Sequence, residues 1–271
     1  MLLGKSGMLG SRFVEYFGQV DGGELYAFDS KELDVCDFGL VREKVENLRP
    51  DFVINCAAYT AVDEAESHED EAFRINADAA GHLAKCCKEV GATLIHFSTD
   101  YVFDGENPGG YDEAGITSPI NVYGASKLKG EQMIAESMEK FYIIRTSWLF
   151  GPGGKNFVDT MLELAKSRNE LSVVSDQIGS PTYTVDLCKA VMENFLQLPF
   201  GIYHLTNSGT TSWYGFAKKI FELKGVSIKL NETDSTAFVR PAARPHCSVL
   251  KSTKFDFNMR NWEEALEDYL A

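Results

Sequence analysis

The sequence has no C-x-x-C pair and no H-x-x-x-H, and its six cysteines stand apart at 36, 56, 86, 87, 188 and 247 apart from one adjacent pair. Neither a structural zinc site nor a disulfide framework is expected, and no metal is implied. No apolar run approaches the ~18 residues of a membrane-spanning helix, and the three apolar residues before Gly4 are too few for a signal-peptide core. Basic residues are scarce: 26 Lys and Arg against 40 Asp and Glu give a net charge of -14 and a pI near 4.8. Such a field repels nucleic acid and anionic membrane, while leaving room for a local basic pocket that takes a small anion. There is no G-x-S-x-G elbow. Gly154-Lys155 has Leu149 where a phosphate-binding P-loop needs glycine and Asn156 where it needs a hydroxyl, so hydrolase and nucleotide-triphosphatase readings fail. Unpaired thiols fit a reducing interior, and the expectation is a cytoplasmic protein with neither nucleic acid nor membrane as partner.

What is present is an ordinary globular balance, 44% apolar and 24% charged over 271 residues, enough chain for one large or two modest domains. Short apolar runs at Met1 to Leu3, Leu25 to Phe28, Phe52 to Asn55, Leu94 to Ser98 and Phe141 to Arg145 read as buried strands. Amphipathic stretches at Met8 to Phe17, Phe38 to Leu48, Glu71 to Val90 and Tyr123 to Met138 separate them. Strand, helix, strand at these lengths means right-handed crossovers, hence an α/β fold with a Rossmann-type doubly wound parallel sheet. A three-residue first strand is short, and the natural chain is expected to start a few residues upstream of Met1. After Phe150 a turn cluster, Gly151 to Gly154, precedes helices at Asn156 to Lys166, Val185 to Leu196, Ser212 to Leu223 and Trp262 to Leu270, with a β run at Ile202 to Leu205. The expected division is a dinucleotide-binding domain over 1–150 and a smaller C-terminal α/β substrate domain over 151–271. Some segments between 168 and 208 are expected to return to the first.

Gly4, Gly7 and Gly10 form G-x-x-G-x-x-G between a strand and a helix, where glycine allows a tight turn and close approach of a pyrophosphate to the helix N-terminus. A plain surface turn is the bland alternative. Asp29 ends the second strand 19 residues after Gly10, near the ~20 at which an acidic group meets the adenosine ribose. A carboxylate there disfavours a 2'-phosphate, so the cofactor is NADH or NADPH with a leaning to NADH, although Lys31 could partly offset that. Asp37 and Phe38 either flank the adenine or supply a helix cap and a core residue. Tyr123 and Lys127 form Y-x-x-x-K, which on a helix sets phenol and ammonium on one face, and a nearby cation lowers a tyrosine pKa. A second copy spans Tyr214 to Lys218. Only the first follows a strand whose end carries Thr99, at the edge where open parallel sheets bind ligands, so Tyr123 and Lys127 are the catalytic candidates and Tyr214 with Lys218 an ordinary helix pair.

With the glycine motif, a hydroxyl residue ending strand four and Y-x-x-x-K, the chain resembles the extended short-chain dehydrogenase/reductases. The blocks NCAAYTAVD (Asn55 to Asp63), STDYVFDG (Ser98 to Gly105), PINVYG (Pro119 to Gly124), RTSWLFG (Arg145 to Gly151) and DQIGSPT (Asp176 to Thr182) look like the dTDP-4-dehydrorhamnose reductase family, and Arg240-Pro241 with Arg244-Pro245 extends the similarity over nearly the whole chain. The resemblance implies hydride delivery from a reduced nicotinamide to the C4 ketone of a nucleotide-linked 6-deoxy-4-keto sugar. Tyr123 would donate the proton, Lys127 would hold the nicotinamide ribose and Thr99 would bond the developing alkoxide. Met8, Leu9, Cys56, Ala57, Ala58 and Tyr59 carry over as cofactor contacts. Thr60, Val62, Asp100, Tyr101, Trp148 and Arg240 carry over as substrate contacts, Trp148 having the bland alternative of an aromatic wall between domains. Arg240, Arg244 and His246 are candidates for the substrate diphosphate, against plain surface charge on a rigid loop. Related dehydratases place Asp-Glu after the threonine; here Asp100-Tyr101 follows Thr99, which favours simple reduction. The helices over 71–90 and 123–138 either pack on the sheet within one chain or pair across a homodimer. Two other readings stand beside the reductase: a cofactor-binding regulatory subunit of methionine adenosyltransferase, and another nucleotide-sugar reductase or epimerase.

Overall fold

The computed structural model describes residues 1–20 and 23–271. In chain order its elements are β1 (Leu2–Leu3), α1 (Met8–Gln19), β2 (Ala27–Phe28), α2 (Phe38–Leu48), β3 (Phe52–Asn55), α3 (Val62–Ala65) and α4 (Glu69–Phe73). A π-helical turn over Arg74–Asp78 leads into α5 (Ala79–Val90), followed by β4 (Thr93–Thr99), α6 (Val122–Ser137), β5 (Phe141–Thr146), β6 (Leu149–Phe150) and α7 (Phe157–Ser167). Then come β7 (Glu170–Val174), β8 (Ile178–Gly179), β9 (Thr182–Tyr183), α8 (Thr184–Asn194), β10 (Gly201–His204), β11 (Thr211–Ser212), α9 (Trp213–Lys224), β12 (Lys229–Thr233) and α10 (Trp262–Leu270).

Six strands form one parallel sheet in the order β10-β5-β4-β3-β1-β2. The apolar runs are continuous because both faces are covered. Leu3, Val53, Leu94 and Ile143 face α2, α5 and α6 through Val41, Val45, Leu83 and Ile134. Their chain neighbours Leu2, Ile54, Ile95 and Ile144 face α1 and α8 through Leu9, Phe13, Leu187 and Val191. One residue of offset thus assigns a side chain to one core or the other. The chain winds outward from β1 to β2, then returns to the other side of β1 with β3, and that reversal opens a crevice at the carboxyl ends of β1 and β3.

A third core lies beyond β6, where Phe150, Val158, Phe216, Ile220, Trp262 and Leu266 join α7, α9 and α10 to the parallel pair β7 and β12. Between these two bodies the chain crosses back: β10 pairs with β5 and α8 packs on α1. The second strand, expected over Leu25 to Phe28, is confined to Ala27–Phe28. The helix expected over Glu71 to Val90 starts at Glu69 and is broken by the π turn. The pairs β6 with β9, β8 with β11 and β7 with β12 were not expected; two are two residues long, and β12 has no apolar alternation to mark it.

Candidate active site

The crevice starts at Gly4, which has φ +82 and lies so close to β3 that a Cβ there would be 2.8 Å from the Ala57 nitrogen and 2.9 Å from the Cys56 carbonyl carbon. A Cβ on Gly10 would be 2.1 Å from the Gly4 oxygen. The loop and the first turn of α1 are therefore backbone packed on backbone. Gly7 caps α1 without a side-chain acceptor, which leaves the first N-H groups, at Met8 and Leu9, to an anion. These are the features a dinucleotide's pyrophosphate needs. Gly10→Ala is expected to push α1 off the loop and raise the dissociation constant for NADH roughly tenfold or more, read by cofactor fluorescence titration, with α/β circular dichroism retained.

Asp29, just past β2, turns its carboxylate to the glycine loop: Oδ2 accepts from Ser6 Oγ at 3.3 Å, and Oδ1 accepts from the backbone N-H of Lys31 at 2.9 Å and of Glu32 at 3.2 Å. Those bonds, Lys31's first, hold its carboxyl below the usual range. Asp37 caps α2, accepting from the Leu40 N-H at 3.0 Å. Phe38 is no core residue. It is 37% exposed and stacks on His82 with ring centroids 4.7 Å apart.

Past β3, the segment Cys56 to Tyr59 lies half-buried along the crevice, with Thr60 exposed and Val62 opening α3. A residue absent from the sequence reading fixes this segment. Asn76, buried in the π turn, accepts from the Tyr59 N-H at 2.9 Å, donates to the Tyr59 carbonyl at 3.0 Å, and donates to Ser126 Oγ on α6 at 2.9 Å. The π turn aims Asn76 inward, and a polar residue amid the small apolar ones of this helix was its only mark in the sequence.

Thr99 ends β4 and Tyr123 stands in the first turn of α6, whose Asn121 cap accepts from the Gly124 N-H at 2.7 Å. The Thr99 side chain donates to Asp100 Oδ1 at 3.0 Å and accepts from the Tyr101 N-H at 3.2 Å. Lys127, one turn on, is buried, with Nζ 2.6 Å from the Phe97 carbonyl and 3.2 Å from His96 Nε2. The expectation that Lys127 lowers the Tyr123 pKa is not met in the protein by itself. Burial dominates, the negative charge of Asp100 adds to it, and the phenol is pushed up to about 12. The phenol is therefore fully protonated at neutral pH, the form a proton donor must start from. Burial also raises Asp100 to about 6, and its Oδ2 has no hydrogen-bond partner although it is enclosed.

Beside this edge opens a cleft of about 920 Å³ whose lining includes Tyr101, Phe157, Trp213, Phe238, Arg240 and Arg244. A hollow of about 160 Å³ near His204 shares no lining residue with it. Tyr101 meets Tyr123 edge-on at 5.8 Å. Trp148 has φ 47 and stacks on Trp213 at 3.6 Å, so the aromatic-wall reading describes its immediate packing. Arg240 and Arg244 both reach back to Asp63 on α3, with Arg244 Nη2 at 2.9 Å and Arg240 Nη1 at 3.3 Å. The Arg244 bond, foremost, holds the Asp63 carboxyl down at about 2. His246 Nδ1 lies 3.3 Å from the Asp176 carbonyl. Tyr214 and Lys218 sit on α9, which packs on α7, α10 and β7 rather than on the six-stranded sheet.

The family model for the RmlD substrate binding domain matches residues 1–271. The dTDP-4-dehydrorhamnose reductase of Escherichia coli K12 is 43% identical over 95% of this chain and 91% of its own length. The spore coat polysaccharide biosynthesis protein SpsK of Bacillus subtilis is 41% identical over 100% of this chain and 96% of its own. A crystal structure of dTDP-4-dehydrorhamnose reductase from Bacillus anthracis in complex with NADP superposes with TM-score 0.95 at 42% identity, covering 99% of this chain and 97% of that one. With a parallel sheet, a glycine crevice and Thr99, Tyr123 and Lys127 at one edge, the chain belongs to the RmlD substrate-binding-domain family, the dTDP-4-dehydrorhamnose reductases among the extended short-chain dehydrogenase/reductases, and is an NAD(P)H-dependent oxidoreductase.

Proposed function

We propose that this chain reduces the C4 ketone of a nucleotide-linked 6-deoxy-4-keto sugar, dTDP-4-dehydrorhamnose to dTDP-rhamnose, with Tyr123 as proton donor. The observation that carries the reading is that Thr99 at the carboxyl end of β4 and Tyr123 with Lys127 in the first turns of the adjoining α6 stand beside the glycine crevice, with Tyr101, in edge contact with Tyr123, lining the cleft. A bound reduced nicotinamide would supply the hydride for the carbonyl carbon. Tyr123 transfers its phenolic proton to the carbonyl oxygen as negative charge develops there, and Thr99 donates a hydrogen bond to the same oxygen. Lys127 donates to the nicotinamide ribose hydroxyls. Arg240 and Arg244 exchange Asp63 for the substrate diphosphate, and Asp100, Tyr101, Trp148, Thr60 and Val62 border the sugar. Residues 1–150, with the returning segment around α8 and β10, serve the cofactor; the remainder serves the nucleotide sugar.

Purified protein mixed with NADH or NADPH and dTDP-4-dehydrorhamnose should consume the cofactor, followed by absorbance, with no added metal or second protein. Absence of turnover together with tight binding to a methionine adenosyltransferase would instead support the regulatory-subunit reading. The same assay tests the cofactor. NADH should serve at least as well as NADPH, because the Asp29 carboxylate faces the glycine loop where a 2'-phosphate would add like charge. Asp29→Ala should shift the NADPH-to-NADH ratio of kcat/KM roughly tenfold toward NADPH, the scale of removing one exposed charge repulsion. A wild-type enzyme that bound NADPH a hundredfold more tightly would remove the ribose role assigned to Asp29.

A further inference from the structure

The surroundings of Lys127 constrain its charge. Its Nζ lies 3.2 Å from His96 Nε2, and on the far side of that ring His96 Nδ1 lies 3.1 Å from Asn55 Nδ2. The Asn55 amide has one admissible orientation: its Oδ1 accepts from the Ala57 N-H at 3.1 Å, and a turned amide would set NH2 against that N-H. Asn55 therefore donates to His96 Nδ1. A neutral imidazole has one donor and one acceptor nitrogen, so Nε2 carries the hydrogen and points at Lys127. An ammonium there would place two donors face to face. An uncharged amine can accept from Nε2 while donating to the Phe97 carbonyl.

Charging the ring does not relieve the conflict, because His96 is 1% exposed and burial, with Lys127 beside it, holds its pKa well below the ordinary value. Burial draws Lys127 down to about 8, opposed by Glu131 on its own helix and by Cys56 past β3. Glu131 is in turn paired with Arg145 of β5 and bonded by Ser98 of β4, while Tyr123 and Asp100 stand toward the sheet edge.

We propose that Asn55 and His96 are positioning residues that favour the uncharged amine of Lys127 in the cofactor-free protein, and that in mildly alkaline solution, where that amine is populated, nicotinamide cofactor binding brings a proton from solvent onto Nζ. This rests on the reading of Lys127 as the residue that holds the ribose. Its consequence is that, above neutral pH, the positive charge able to assist Tyr123 arrives with the cofactor.

Titration calorimetry with NADH in buffers of different ionisation enthalpy reads the proton directly, and NADH avoids the titrating 2'-phosphate. Uptake should be small at pH 6.5, about half a proton per site near pH 8 and close to one at pH 9, following the half-titration of Lys127. Asn55→Asp places an oxygen where the NH2 stood, so His96 Nδ1-H must donate to it, Nε2 becomes the acceptor, Lys127 stays an ammonium and the uptake vanishes. Nitrogen NMR of histidine-labelled wild-type protein at pH 9 reads the tautomer without any variant, and there His96 should be the Nε2-H form before NADH is added. A free protein with His96 as the Nδ1-H form at pH 9, or NADH binding at pH 9 without proton uptake, overturns the proposal. Failure to bind NADH at all would count against the proposed function, while the tautomer still decides the arrangement at His96.

Discussion

Tyr123→Phe is expected to lower kcat by roughly 10²- to 10⁴-fold, the scale of general acid catalysis, with cofactor Kd and thermal midpoint close to wild type. The change removes one hydroxyl. The ring keeps its edge contact with Tyr101, and α6 keeps its Asn121 cap, so neither the helix start nor the Lys127 site should move. What is lost is the proton for the developing alkoxide. Tyr214→Phe is the matched control, since it removes the same atom from the second Y-x-x-x-K. Its position on α9, away from the six-stranded sheet, predicts kcat within about twofold of wild type, in the range of ordinary surface substitutions. A folded Tyr123→Phe enzyme with normal turnover, or an inactive but folded Tyr214→Phe enzyme, would transfer the proton donor's role elsewhere.

The two Y-x-x-x-K copies also show what the sequence could reveal. Residue spacing alone did not distinguish them. Their place after a strand did, because the carboxyl ends of β4 and β1 and the start of α6 lie at one edge of any doubly wound sheet. The buried strands were legible for a similar reason: Phe52–Asn55 and its neighbours are apolar on both faces, and α2 announces itself with the Asp37 cap. Residues that act through distant partners were not legible. Asn76 reaches Tyr59 and Ser126 only because a π turn rotates it inward, and hydropathy gives no sign of such a turn. Asp63 looks like any acidic residue of an acidic protein until Arg244, far along the chain, closes on it. The pairing of β7 with β12 joins two segments with weak apolar patterns, and the third core beneath them supplies what their sequences lack.

The same blindness hides the most deeply buried ion pair among the described residues. Glu131 on α6 and Arg145 on β5 are 2% and 3% exposed, and three hydrogen bonds join them at 2.7, 3.0 and 3.2 Å. His204 of β10 lies 3.3 Å from Arg145 Nη1, and Phe103 lies under its guanidinium at 5.2 Å. Glu131 stands one helical turn beyond Lys127, so the pair bolts the helix that carries Tyr123 and Lys127 to the strand beside β4. Arg145→Met keeps most of the volume but leaves Glu131 as a buried, uncompensated carboxylate. The expected loss is about 3–5 kcal/mol, which for a chain of this size means a thermal midpoint lower by roughly 5–9 °C. Replacing both partners, Glu131→Met with Arg145→Met, removes the stranded charge and should restore more than half of that loss, because much of the single-variant cost is desolvation and not the worth of the pair. Urea unfolding of wild type, both single variants and the double variant measures the coupling. An Arg145→Met protein within 1 kcal/mol of wild type would show that α6 is held by its apolar face alone. If the coupling is present, the double variant should recover stability ahead of kcat: Met packs the interface, but it does not restrain the turn of α6 about its axis as three directed hydrogen bonds do, and Tyr123 is then held less closely at the end of β4.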